Sequence, residues 1–239
     1  MTTILAGVML GQNKIKGKTM KSLKIYFAGD LFDHKDLAGN LILADAIEKA
    51  SNNRYQIMLP QDGECEVVNR TSQSIRDADF KLLFNCDLVV ANFDGHDLDS
   101  GTVVEFCFAK MLDMPALLLR TDFRHSGDNS LPDTEPWNLM CSHYPRTRVL
   151  HLNAMELYHQ SRAVAGQGSM LEEFYSTLAE KCVAELDAVT SERSWLKKDQ
   201  LADQFRAVLN AVGGTVKDHF PDDILEKLIE QKSASTLYD

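Results

Sequence analysis

The spacing of hydrophobic and polar positions changes along the chain, and each change marks an element. Residues 23–29, LKIYFAG, set Ile25 and Phe27 among polar or amphipathic neighbours and stop at Gly29, which reads as a strand ended by a turn signal. Residues 36–51 place Leu37, Leu41, Ala44 and Ile47 at helical spacing. A short strand at 55–60 is stopped by Pro60, and QDGECEVVNR follows as a loop. Residues 71–86 predict a helix opened by Thr71 or Ser72, and 87–94 a β-branched strand ending in an acidic, glycine-containing turn. A helix at 99–113 opens on Asp99 or Ser100, and 114–121 is a fourth strand. Residues 122–147 form a long loop with Gly127, Pro132, Pro136 and Pro145, before a fifth strand at 147–153. This alternation is the signature of an α/β fold, a parallel sheet of about five strands covered by helices. Ligands of such sheets collect at the carboxyl ends of the strands. From residue 154 the pattern is helical throughout, broken at Gly213-Gly214 and Pro221. The expected organisation is a flexible lead-in at 1–21, an α/β domain at 22–152 and a helical extension at 153–239.

Charge and composition narrow the functional classes. The 239 residues carry 25 Lys and Arg against 35 Asp and Glu, a net −10, with no basic face to displace counterions from nucleic acid. Nine basic and fifteen acidic residues beyond position 150 put −6 on the extension and leave −4 on the rest. Apolar runs fall well short of the roughly 20 residues of a membrane span, and MTTILAGVMLG lacks the basic flank of a signal peptide. The five cysteines, Cys65, Cys86, Cys107, Cys141 and Cys182, are odd in number and lack C-x-x-C spacing. That argues against a disulfide framework or structural zinc and for a reducing, cytoplasmic setting.

The stretch richest in chemistry is FDGHDLDSGTVVEFCFAK, residues 93–110. Asp99, Ser100, Gly101 and Thr102 turn the chain from a strand end into a helix, and Glu105 sits one turn in. Its i−4 and i+4 neighbours are Gly101 and Ala109, which leaves room for a small molecule against the helix. Val104, Phe108 and Met111 are then free to face the sheet. Flanking apolar residues shield Glu105 and tend to raise its pKa. A solvated first-turn acid favoured by the helix dipole is the plainer alternative on spacing alone.

The pattern D-S-G-T-x-x-E-x-x-x-A after a strand, with K-I-Y-F-A-G at the first strand, resembles the nucleoside 2-deoxyribosyltransferase family. Gln61, Asp79 before N-C-D, and P-W-N-L-M at 136–140 match in order, over roughly residues 23–150. The resemblance implies a flavodoxin-like doubly wound sheet and a catalytic domain at 22–152 that moves 2-deoxyribose between nucleobases in nucleoside salvage. By position, Glu105 would be the nucleophile on the anomeric carbon and Tyr26 would hold it and line the sugar site. Asp79 and Asp99 would bind the base and protonate its leaving nitrogen. Gln61 would also contact the base, with Gly29, Asp94 and Gly101 lining the substrate site. Asn138, supplied in such enzymes by a neighbouring subunit, would bind the 5-hydroxyl side of the sugar, with Met140 nearby. Deoxynucleosides and free bases are the implied partners, in a homo-oligomer, with no metal and no organic cofactor.

The chemistry is coherent without the resemblance. Cleaving an N-glycosidic bond builds positive charge on the sugar and negative charge on the base, which a carboxylate and a carboxylic acid respectively stabilise. Two displacements on one face retain configuration. Competing readings are a hydrolase of deoxynucleosides or their 5-monophosphates, and a non-catalytic nucleoside sensor. The first loop, AGDLFD, carries two aspartates that would repel a phosphate, and the P-G-G of phosphoribohydrolases is missing ahead of G-T-x-x-E. His96 and Asp97 add ionisable groups beside the motif, read most simply as a solvated loop.

Overall fold

Five parallel strands in the order β2-β1-β3-β4-β5 form the centre of the molecule, seen in a computed structural model that describes residues 22–63, 67, 69–125, 135–165 and 169–239. They are β1 (Leu23–Ala28), β2 (Tyr55–Met58), β3 (Leu88–Asn92), β4 (Ala116–Arg120) and β5 (Thr147–His151). This is the flavodoxin-like doubly wound order, which reverses direction between β1 and β3. Register there pairs Tyr26 with Val89 and Ala28 with Ala91. β4 and residues 88–91 of β3 are buried along their length, as central parallel strands covered on both faces must be. The expected lead-in at 1–21, Cys65, Gly127 and Pro132 lie outside the described residues.

Helices α1 (His34–Ala50), α2 (Pro60–Gly63), α3 (Ser72–Asn85) and α4 (Ser100–Met111) fill the crossovers. After β5 come α5 (Ala154–Ala165), α6 (Met170–Thr190), α7 (Leu201–Val212) and α8 (Asp222–Ser233). α1 packs with α6 on one side of the sheet, and α3 packs with α4 on the other. α6 also lies across β4 and β5, so residues beyond 152 complete a layer of the sandwich, and the buried cluster runs from Ile25 to Tyr238.

Three local expectations shift. α1 starts at His34, capped by Asp33, whose carboxylate accepts from Lys35 N and Asp36 N while Asp36 answers to the Asp33 amide. Its buried face is Asn40, Leu43, Ala44 and Ile47, whereas Leu37 and Leu41 are exposed. Asn40 donates to Asp30 O at 3.1 Å, which gives this inward-facing polar residue a partner. Pro60 does not end the second strand, which stops at Met58; it opens α2, a position that needs no amide proton, and so puts Gln61 on a short helix.

Candidate active site

Tyr26 on β1 and Glu105 on α4 meet beside the reversal point of the sheet. The Tyr26 hydroxyl donates to Glu105 Oε1 at 2.6 Å across 79 residues of sequence. Tyr26 is completely buried, and a buried phenol needs a partner. Here the partner is a half-buried carboxylate. Burial raises the Glu105 pKa from its ordinary 4.5 to about 8; the Tyr26 hydrogen bond opposes that rise, and the charges of Asp79 and Asp99 add to it. Burial also pushes Tyr26 far above the usual phenol range, with Glu105 and Asp79 adding to the effect. Tyr26 therefore stays protonated and serves as a fixed donor to Glu105.

α4 delivers Glu105 through its cap. Asp99 Oδ2 accepts from Thr102 N at 2.7 Å and from Thr102 Oγ1 at 2.9 Å, which caps the first turn of the helix. A Cβ on Gly101 would sit 3.0 Å from that oxygen, so a larger residue there would press on the capping carboxylate. The buried stripe of α4 includes Thr102, Phe106 and Ala109. Val104 and Met111 are exposed, at 45% and 40%, contrary to the spacing-based expectation. Ala109 is packed in the core while Gly101 is exposed, so of the two small neighbours of Glu105 only Gly101 borders solvent. The reason is rotational: turning Glu105 toward Tyr26 sends Val104 outward, about 100° away around the helix.

The other expected residues divide into groups. Asp79, half-buried on α3, lies close enough to perturb both Glu105 and Tyr26. Gln61 donates to Leu37 O at 3.2 Å, which ties α2 to the start of α1. Gly29 follows β1 directly, packed against Asn92 at the end of β3. Asp94 is engaged by the residues that follow β4. It accepts from Thr121 N at 2.5 Å, Thr121 Oγ1 at 2.7 Å and Asp122 N at 2.7 Å. Trp137 is buried against Phe93, with rings 5.2 Å apart, and this anchors the P-W-N-L-M segment. Asn138 and Met140 next to it are exposed, and Asn138 Oδ1 accepts from Met140 N at 3.0 Å. His96 and Asp97 are solvent-exposed.

Arg120 was invisible to spacing arguments. Fully buried at the end of β4, it donates to the carbonyls of Phe93, Gly95 (3.2 Å) and Arg124 (2.7 Å). With Asp94 it clamps the loop between β3 and α4 to the neighbouring strand. The only signal in the sequence is a charged residue closing the run A-L-L-L-R. Asp30, after β1, is raised to about 6 by partial burial and then by Asp99, Asp36, Asp94 and Asp33, so the strand ends form a strongly acidic rim.

A family model described as nucleoside 2-deoxyribosyltransferase matches residues 25–176. A conserved protein from Enterococcus faecalis V583 is 22% identical with a TM-score of 0.44, over 70% of this chain and 99% of its own. A 2-desoxiribosyltransferase from Leishmania mexicana is 19% identical with a TM-score of 0.42, over 61% of this chain and 99% of its own. A 2-deoxyribosyltransferase from Bacillus psychrosaccharolyticus is 17% identical with a TM-score of 0.38, over 44% of this chain and 77% of its own. Comparison with curated proteins yields no match. Among the described residues no helix is long and apolar enough to cross a membrane.

Proposed function

The chain belongs to the nucleoside 2-deoxyribosyltransferase family, and from that premise we propose that it exchanges the base of 2-deoxynucleosides through a deoxyribosyl ester on Glu105. The observation that carries the proposal is the 2.6 Å contact from the Tyr26 hydroxyl to Glu105, on the helix that D-S-G-T opens. It gives the carboxylate a fixed orientation with one oxygen held and the other available for attack.

In the proposed reaction Glu105 attacks the anomeric carbon as the N-glycosidic bond breaks. The bonding pair leaves with the base nitrogen, and a proton relayed from solvent through Asp79 or Asp99 neutralises it. The second base then attacks the ester carbon from the face the first one left, and its N–H proton returns to solvent through the same aspartate. Glu105 departs as carboxylate, its charge again met by Tyr26, and configuration is retained overall. The free site favours protonated Glu105 near neutrality, so the attacking form gains in population as pH rises through about 8. Charge developing on the sugar during attack favours the same ionised form.

Gln61, Gly29 and Gly101 fit walls of the substrate site. Asp94 fits a support for the loop beneath it better than a direct ligand, because its oxygens are engaged by Thr121 and Asp122. The exposed Asn138 and Met140 suit contribution to a neighbouring subunit's site in a homo-oligomer. Nucleoside salvage in the cytoplasm is the setting we infer. The test is base exchange with four deoxynucleoside donors, free purine and pyrimidine acceptors, and a water control. Exchanged nucleoside that forms with wild type and disappears with Glu105→Ala supports the reading. Exchange that persists in Glu105→Ala rules out the covalent step, and release of free base into water alone assigns a hydrolase.

A further inference from the structure

The chain after residue 176 lies beyond the family match, yet it grips both helices that carry the acids of the site. On α3 the grip is Asp77, buried to 1% exposure. Its Oδ2 accepts from Thr215 N and Thr215 Oγ1, each at 2.7 Å, while Arg76 Nη1 pairs with Oδ1 at 2.8 Å. Arg76 Nη2 reaches on to Val212 O at 2.5 Å. Gly214 makes the close approach possible: its φ is +62°, and a Cβ there would lie 2.5 Å from Asp77 Oδ1. At the far end of α3, Lys232 of α8, itself buried, donates to Cys86 O. On α4, Gln204 donates to Met111 O at 2.7 Å and Tyr238 to Leu112 O at 3.2 Å. Lys232, Gln204 and Tyr238 thus serve carbonyls at helix C-termini, which lack donors of their own.

Asp77 and Asp79 are two residues apart, about 200° around a helix. One therefore faces the extension while the other faces away from it, toward Tyr26 and Glu105. A small rotation of α3 would carry Asp79 toward or away from Glu105. We propose that the Asp77–Thr215 contact is a positioning device through which the extension sets the rotation of α3 and the separation of Asp79 from Glu105. This rests on the reading of Glu105 and Asp79 as reacting acids. Asp77 and Thr215 are positioning residues that act through Asp79.

The groups that face Glu105 are Tyr26 from β1, Asp79 from α3 and Asp99 at the head of its own helix. The experiment follows Glu105 by carboxyl-carbon NMR in carbon-13-labelled protein, assigned by loss of its signal in Glu105→Gln, alongside base-exchange kinetics. Thr215→Ser keeps the hydroxyl and should behave as wild type. Thr215→Val should lower the Glu105 midpoint by about one pH unit, because the charge of Asp79 recedes from it. It should also reduce kcat about tenfold with KM within about twofold. In an Asp79→Asn background, Thr215→Val should leave the midpoint where Asp79→Asn alone puts it, the mark of one shared route. A Thr215→Val protein that melts earlier but keeps the wild-type Glu105 titration and kcat would overturn the proposal, as would fully additive midpoint shifts in the double variant. Asp77→Asn, judged by the same readouts, replaces Thr215→Val if that variant fails to fold. A wild type without base exchange would count against the proposed function, while the Glu105 titration would still decide the positioning role.

Discussion

Replacing Glu105 with Gln should stabilise the protein in alkaline solution while abolishing its chemistry. The carboxyl titrates near 4.5 in an unfolded chain and near 8 in the folded one, chiefly because it is buried and then because Asp79 and Asp99 lie close. Between those values the folded state holds a proton that the unfolded state has released. Stability contributed at this site is therefore complete below about pH 4.5, falls as pH rises, and is lost above about pH 8. At about 1.4 kcal/mol per pH unit the whole interval would cost about 5 kcal/mol. Titration shared with the two aspartates reduces this, so a loss of about 2–4 kcal/mol is expected. Glutamine has the same shape, carries no charge, and still accepts from Tyr26. Glu105→Gln should match wild type at pH 4.5 and exceed it by about 2–4 kcal/mol at pH 9, or about 5–15 °C in Tm for a chain of this size. Thermal melts of both proteins across that range are the assay, with base exchange expected to fall by at least about 10³-fold. An equal Tm difference at pH 4.5 and pH 9 would refute the reasoning, since it would mean that Glu105 carries no extra proton in the fold. The expected pattern is a stability cost accepted for a reactive group.

Other consequences can be measured on the same protein. The kcat/KM of wild type should rise with pH on a limb centred near 8, the free-enzyme value for Glu105, and a profile flat from pH 6 to 9 would exclude that assignment. Tyr26→Phe removes the donor that opposes the rise, so the limb should move to higher pH and kcat should fall about 10- to 100-fold, readable from the same profiles. Arg120→Met leaves the carbonyls of Phe93, Gly95 and Arg124 without their buried donor. It should cost about 3 kcal/mol in denaturant unfolding, and an unchanged midpoint would show that the loop is held by Asp94 alone.

Much of the fold was legible because it is local. The runs of β-branched and leucine residues at 87–94 and 114–121 read as strands, and D-S-G-T read as the cap of the helix that follows the first of them. Of the site, Glu105 and its cap were readable for the same reason, since Asp99, Gly101 and Thr102 act within four residues of one another. Faces were less legible. Leu37 and Leu41 fit a helical stripe as well as Leu43 does, and the packing of α1 against α6 and β2 selects the second choice. Val104 fits the sheet side of α4 until Glu105 is drawn to Tyr26.

What the sequence by itself determined is the order of elements and the parallel sheet, and it supplied the candidate site residues, since hydrophobic period, capping and turn preference act over a few positions. Only the tertiary structure decided which of those residues meet. The bond from Tyr26 to Glu105 spans 79 positions, the clamp of Arg120 on Phe93 spans 27, and the grip of Thr215 on Asp77 spans 138. No local pattern encodes such contacts, because each depends on how strands stack and helices rotate once the whole core is packed. The helical extension is the clearest case: its period announces helices, but only packing puts its polar groups against the ends of α3 and α4.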